Sequence, residues 1–207
     1  MIKRYLAALC ATALIGVAPP AVAASTTELK VTGIITPAAC VPTLSSGGIV
    51  DHGKISSQDL NQTKETRLAQ HTLQFSVNCD SATVFTLKPI DNRPNTDHDR
   101  GELFGLGKIN GDQRLGGFLP SFHNVVADGV PAITLGSIDN GNSWYRNSFI
   151  FPYAVNAVGS PADPSTPIAV KDLATDLLIN TYIARADSLD LGNEVAIDGS
   201  TTLEIRY

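Results

Sequence analysis

Hydrophobic and polar residues alternate along several short stretches of this chain. In residues 71–79, HTLQFSVNC, the residues Leu73, Phe75, Val77 and Cys79 take every second position. That spacing sends all four side chains to one face of a β-strand and points Cys79 into a core. TTELKVTGIITPAAC, residues 26–40, alternates as well and closes a first strand region at Cys40. Further strands are predicted over 47–55 (GGIVDHGKI), over 82–88 (ATVFTLK) after a tight Asp80-Ser81 turn, and over 148–158 (SFIFPYAVNAV), where Pro152 marks an edge or a bulge. Residues 176–186 and 201–207 complete the set, the latter with Leu203, Ile205 and Tyr207 on one face. No stretch carries a long apolar repeat of 3.6 residues, and residues 60–68 and 170–176 are the two places for a short helix.

Between the outer strands, residues 88–147 are rich in Gly, Asn and Asp, with turn signals every few residues. Sixty residues of bare loop would be improbable inside a compact domain, so GGFLPSFHNVV (116–126) and AITL (132–135) are read as strands within it. The 17 glycines and 12 prolines suit short strands joined by frequent turns, and the expected class is all-β.

The start of the chain changes the picture of where it works. Residues 1–23 open with Lys3 and Arg4, continue through the apolar run YLAALCATALIGV and end on Ala21-Val22-Ala23, the small-x-small pattern of a signal-peptidase site. The run is too short for a membrane-spanning helix, which needs roughly 20 apolar residues. Export is therefore expected, with Cys10 leaving in the leader. Cys40 and Cys79 remain, and an even pair in an exported protein reads as a disulfide. In the chain-entropy model a loop of that length is worth roughly 4 kcal/mol. A metal site is the rival reading, and it lacks any CxxC or HxxxH spacing. Removing 23 of the 207 residues leaves 184, enough for one domain, and takes the formal net charge from -5 to -7. That acidic balance, without a Lys/Arg cluster, argues against a nucleic-acid or anionic-membrane partner.

Candidate chemistry is sparse. His52, His71, His98 and His123 are scattered outside any nucleophile or metal motif. Asp97-His98-Asp99, with Asp91 and Glu102 nearby, lacks the remaining ligands of a calcium loop and reads as a solvated acidic turn. The glycines of FGLGKING (104–111) have no following GK[ST] and no strand-to-helix context, so a turn is expected there rather than a phosphate loop. Trp144 and Tyr145 are the one pair on which a sugar ring would stack, although burial is the commoner fate of Trp. No nucleophile, base and orienter fall together, so no enzyme activity, cofactor or metal is expected.

In the order ELKVTGIITPAAC, SVNCD, DNR, FGLG and DGSTTLEIRY, the chain resembles subunits of chaperone-usher fimbriae, in particular the beta-fimbriae major subunit-like proteins. The resemblance spans essentially everything after the leader. It implies an incomplete immunoglobulin-like β-sandwich of the pilin type over 33–207, with long loops and an open groove that a donor strand completes. It also implies a structural role in a surface fimbria of a Gram-negative bacterium, supporting adhesion after export through the periplasm. The implied partners are a periplasmic pilus chaperone, an outer-membrane usher and neighbouring subunits; strand addition of this kind is among the standard examples of peptide recognition. The matching donor arm is 24–32, with Thr27, Leu29 and Val31 on its inserting face, and the matching chaperone and groove edge is Leu203, Ile205 and Tyr207. The arm is short for a major pilin, and Tyr207 stands last where many subunits carry the aromatic next to last. A minor or tip adhesin, binding a glycan or host protein through the central loops, is the alternative.

Overall fold

A computed structural model describes residues 30–32, 39–99 and 101–207. The expected leader, together with Thr27 and Leu29, lies outside them; Val31 is described and is 87% exposed. The chain divides into two units, Met1–Ile35 and Thr36–Tyr207, and every described strand belongs to the second.

The strands are β1 (Cys40–Leu44), β2 (Thr66–Arg67), β3 (His71–Thr83), β4 (Thr86–Asp91), β5 (Phe104–Gly105), β6 (Lys108–Ile109), β7 (Gln113–Arg114) and β8 (Gly116–Ala127). They continue as β9 (Val130–Pro131), β10 (Ile133–Ser137), β11 (Tyr145–Arg146), β12 (Val155–Ser160), β13 (Asp163–Pro167), β14 (Val170–Ile183) and β15 (Thr201–Arg206). One sheet runs β1-β3-β14-β8-β5, with β2 on β14 and β9 on β8; the other runs β11-β10-β12-β4-β15, with β13 on β12; β6 and β7 form a small hairpin. Phe75, Val77, Leu173 and Leu177 of the first sheet share one apolar cluster with Leu87 and Val158 of the second, against which Leu203 and Ile205 pack. The protein is an all-β sandwich.

The alternation in β3 is realised: Leu73, Phe75, Val77 and Cys79 are all buried. So are the strands expected within the middle region, which appear as β8 and β10. Cys40 and Cys79 form a disulfide that joins β1 to β3, neighbours in one sheet.

Several expectations need correction. Cys40 opens β1, and most of the alternating stretch before it, residues 26–29 and 33–38, lies outside the described residues. Residues 47–55 are not a strand, because Gly47, Gly48 and Gly53 take positive φ of 60°, 75° and 62°, and Ile49 faces solvent. No turn falls at Asp80-Ser81: Asp80 donates to the Ala39 carbonyl, β3 continues to Thr83, and the chain crosses to the second sheet before β4 starts at Thr86. Residues 148–158 are not one strand either. The Ser148 carbonyl accepts from Phe122 and the Ile150 N–H donates to Pro120, both of β8, whereas β12 begins only at Val155 in the other sheet. Pro152, which lacks an N–H, sits in the turn where the chain changes sheets.

Neither short helix forms. Residues 60–68 begin at the C-cap of a 3-10 turn, Ser57–Asp59, and hold the strand β2. Residues 170–176 belong to β14, whose register shifts between Val170 and Asp172 and again between Ala174 and Asp176. An extra residue at a bulge turns a spacing of two into a spacing of three, so buried Val170 and Leu173 imitate a helical face.

Candidate functional site

The sandwich is open along one side, where β1 ends the first sheet and β15 ends the second. In an antiparallel pair, successive residues alternate between exchanging main-chain bonds with the partner strand and facing away from it. The Asp80 N–H bond to the Ala39 carbonyl (3.1 Å) and the Asn92 N–H bond to the Ser200 carbonyl (3.0 Å) set the phase of the two edges. Cys40, Pro42 and Leu44 of β1, and Thr201, Leu203 and Ile205 of β15, therefore aim their main-chain groups at the opening.

The two edges are chemically unequal. Along β1 the Cys40 N–H donates to the Tyr207 hydroxyl (2.7 Å), and Pro42 has no N–H. Beyond Cys40, this edge presents the Pro42 and Leu44 carbonyls, with the Leu44 amide as a donor. On β15 all three residues present both a donor and an acceptor. Tyr207 ties the end of one edge strand to the start of the other.

Between the edges lies a cavity of about 350 Å³ with an apolar floor that includes Leu73, Phe75, Phe118, Leu177 and Ile179, and Leu203 on its β15 wall. A second cavity of about 590 Å³ adjoins it, lined by segments 50–55 and 191–197, and the two share Val50, His52 and Ile197. The Lys54–Glu194 ion pair (3.3 Å) links those two segments from fully solvated positions, where such a pair contributes little stability.

Three of the motifs that carry the resemblance meet at the root of β15. Arg93 of DNR makes a two-point pair with Asp198 (2.9 Å for each bond), and the Asn92 side chain donates to the Ser200 hydroxyl (2.9 Å). The Asp198 N–H bonds to the Leu106 carbonyl of FGLG (3.2 Å). A Cβ at Gly105 would collide with the Arg93 carbonyl and the Thr96 hydroxyl. One at Gly199 would press on Leu106 and Phe118, which line the groove. These glycines let the loops close tightly enough to hold β15 in position.

His52 is a groove residue that the sequence does not announce. Its Nε2 is 3.0 Å from the Thr181 hydroxyl oxygen, and its ring meets His71 edge to face at 4.7 Å. Burial first, and then His71, hold its imidazole below the ordinary value, with Asp51 opposing. Pro42 and segment 191–197 are the other lining parts missed, and only the sheet order reveals them.

Among the predicted site residues, Leu203 lines the groove and Ile205 packs, half-buried, against the core. Tyr207 is 57% exposed and bonded to Cys40 as described. Trp144 and Tyr145 lie at β11, across the second sheet from β15. Trp144 is half-buried over Gly141, whereas Tyr145 is exposed. Exposed Phe149 and Tyr153 flank Phe151 in a row of rings 6.0 and 5.3 Å apart. Burial and a hydrogen bond to Glu102 push the Tyr153 phenol up to about 12. The acidic turn is used internally: buried Asp97 accepts the Gly101 N–H (2.6 Å), and Asp91 accepts the N–H groups of Arg93 (2.8 Å) and Gly105 (3.3 Å). Among the described residues no cluster of three or more His, Cys, Asp or Glu is arranged to hold a metal ion.

Residues 29–102 match a family model described as "Protein of unknown function (DUF1120)". Two Escherichia coli (strain K12) proteins are similar over most of their length. Protein GltF is 25% identical over 223 residues, covering 87% of this chain and 88% of GltF. Uncharacterized protein YhcF is 24% identical over 218 residues, covering 87% of this chain and 89% of YhcF.

Proposed function

We propose that the chain is a structural subunit of a surface fimbria assembled by the chaperone-usher route. The observation that supports this reading is the open side of the sandwich, with an apolar floor and two free strand edges that one extended peptide would satisfy. A periplasmic chaperone fills the groove first, the outer-membrane usher receives the complex, and the arm of the next subunit then takes the chaperone's place. Because the contact is head to tail and does not close on itself, it builds a filament. The arm donates Thr27, Leu29 and Val31. The unit that carries the groove begins at Thr36. In the sequence Ile35 shares the parity of Thr27, Leu29 and Val31, so a synthetic peptide that ends there extends the same face.

The test is Leu29→Asp with Val31→Asp, co-expressed with chaperone and usher. Soluble, chaperone-bound subunit without fibres is the expected result. Fibres of normal length would overturn the proposal, and a chain that fails to fold would mean that the arm is an integral strand of its own sandwich.

A second reading, an adhesin subunit that binds a glycan, draws on the exposed aromatic side chains of Tyr145, Phe149 and Tyr153. Saturable binding on a glycan panel, lost in Tyr153→Ala, would favour it.

A further inference from the structure

His52 is the one titratable residue shared by the walls of both cavities, so a strand that spans them passes over its ring. Covering the ring removes the water that would solvate an imidazolium. The surrounding groups do little to replace that water. On its own segment, Asp51 is exposed and accepts the Gly53 N–H (2.7 Å), and Lys54 is a cation. On β3 the neighbour is the His71 ring, and on β14 it is the neutral Thr181 hydroxyl. Across the second cavity, Glu194 is paired with Lys54.

We propose that His52 couples the groove to pH, so that a strand enters only while His52 is neutral and acidification empties the groove. This rests on the strand-acceptor reading of the site. The linkage follows from mass action: if filling the groove makes protonation of His52 harder, protonation of His52 must weaken filling by the same factor. The sign is fixed, because the proton is bound more readily by the empty groove than by the filled one. Affinity is therefore independent of pH above the titration of the empty state. Below it, affinity falls by up to about tenfold per pH unit for one proton. The position of His52 below its ordinary value even in the empty groove, caused first by burial, agrees in direction.

The probe is an acetylated synthetic peptide of residues 24–35, titrated into the chain from Ala24 onward carrying Leu29→Asp and Val31→Asp, which keeps copies from filling one another. Between about pH 7.5 and pH 5, the range over which histidine titrates, the dissociation constant should rise about tenfold. With His52→Gln, which keeps a hydrogen-bonding group toward Thr181 but takes no charge, it should change less than about twofold. Constant affinity in the His52 protein, or an equal dependence in His52→Gln, overturns the proposal while leaving the groove a strand acceptor. Absence of peptide binding at every pH overturns the strand-acceptor reading and this proposal together. Should His52→Gln fail to fold, the imidazole proton resonances of His52, followed through pH with and without peptide, decide the matter. The titration must move to lower pH when the peptide is bound, and an unmoved titration refutes the coupling.

Discussion

Asp139 shows how much of the loop architecture rests on single side chains. Its carboxylate accepts the Ser137 hydroxyl (2.6 Å) and the Ser143 N–H (3.0 Å), and these serines, Ser137 first, hold it down at about 2. The folded value lies below the ordinary 3.8, so whatever the carboxylate adds to the turn is complete above about pH 4 and is lost as the pH falls toward 2. Trp144, the single Trp of the sequence, packs over Gly141 inside this turn and reports on it. Its fluorescence should hold steady down to about pH 4 and then change on the way to pH 2, with Ser137→Ala moving the change to higher pH; a response centred near pH 6 would point to a histidine instead. At the groove, Leu203 is the decisive side chain of β15, since it lines the cavity directly. Leu203→Asp would bury an unpaired carboxylate whenever the groove is filled, and recovery of a chaperone-subunit complex should drop by at least about tenfold. Normal recovery would exclude β15 as the docking edge.

At the scale of elements, β15 stands on one side only, held by β4 and by the loops at its root. The Arg93–Asp198 pair is partly solvated, at 37% and 62% side-chain exposure, so Asp198→Ala should cost no more than about 1 kcal/mol. Its clearer effect is expected in amide exchange, faster at residues 200–203 than in β4 or β14; uniform exchange across the three strands would show that the pair does not anchor β15. The same contrast between regular and irregular elements governs what the sequence reveals. β3 and β8 are legible because each presents a continuous alternating or apolar run. β14 is not, since its bulges disguise the period, and 47–55 is not, since its glycines turn the backbone where the residue pattern alone suggests a strand. The disulfide was legible once Cys10, the first of three cysteines, was assigned to the expected leader, which leaves Cys40 and Cys79 as an even pair. The groove was only half so: alternation put Leu203 on one strand face and the resemblance made that face a groove edge, but Pro42, His52 and the 191–197 wall come together through contacts between segments distant in sequence, to which local periodicity is blind.

For the whole molecule, an unfilled side means an unfinished core, and a ligand that completes it must stabilise the fold. A peptide of residues 24–35 at about one hundred times its dissociation constant should add roughly 2.7 kcal/mol, a rise of about 5–10 °C in the melting temperature for a domain of this size. No shift at saturation would show that the groove does not take this strand. The proline in the middle of β1 bears on a different hazard. An open sheet edge is ordinarily a template on which identical chains stack, and under the proposed function subunits awaiting assembly would be crowded with their own kind. Two copies that meet through β1 find a nearly donor-free row facing another of the same kind, so mutual zippering has no ladder to climb. Pro42→Val restores the amide and a strand-favouring side chain, and is expected to convert monomers into side-by-side dimers and then thioflavin-positive aggregates. In the proposed fibre, growth along its axis would then compete with a sticking reaction that the wild-type edge would suppress.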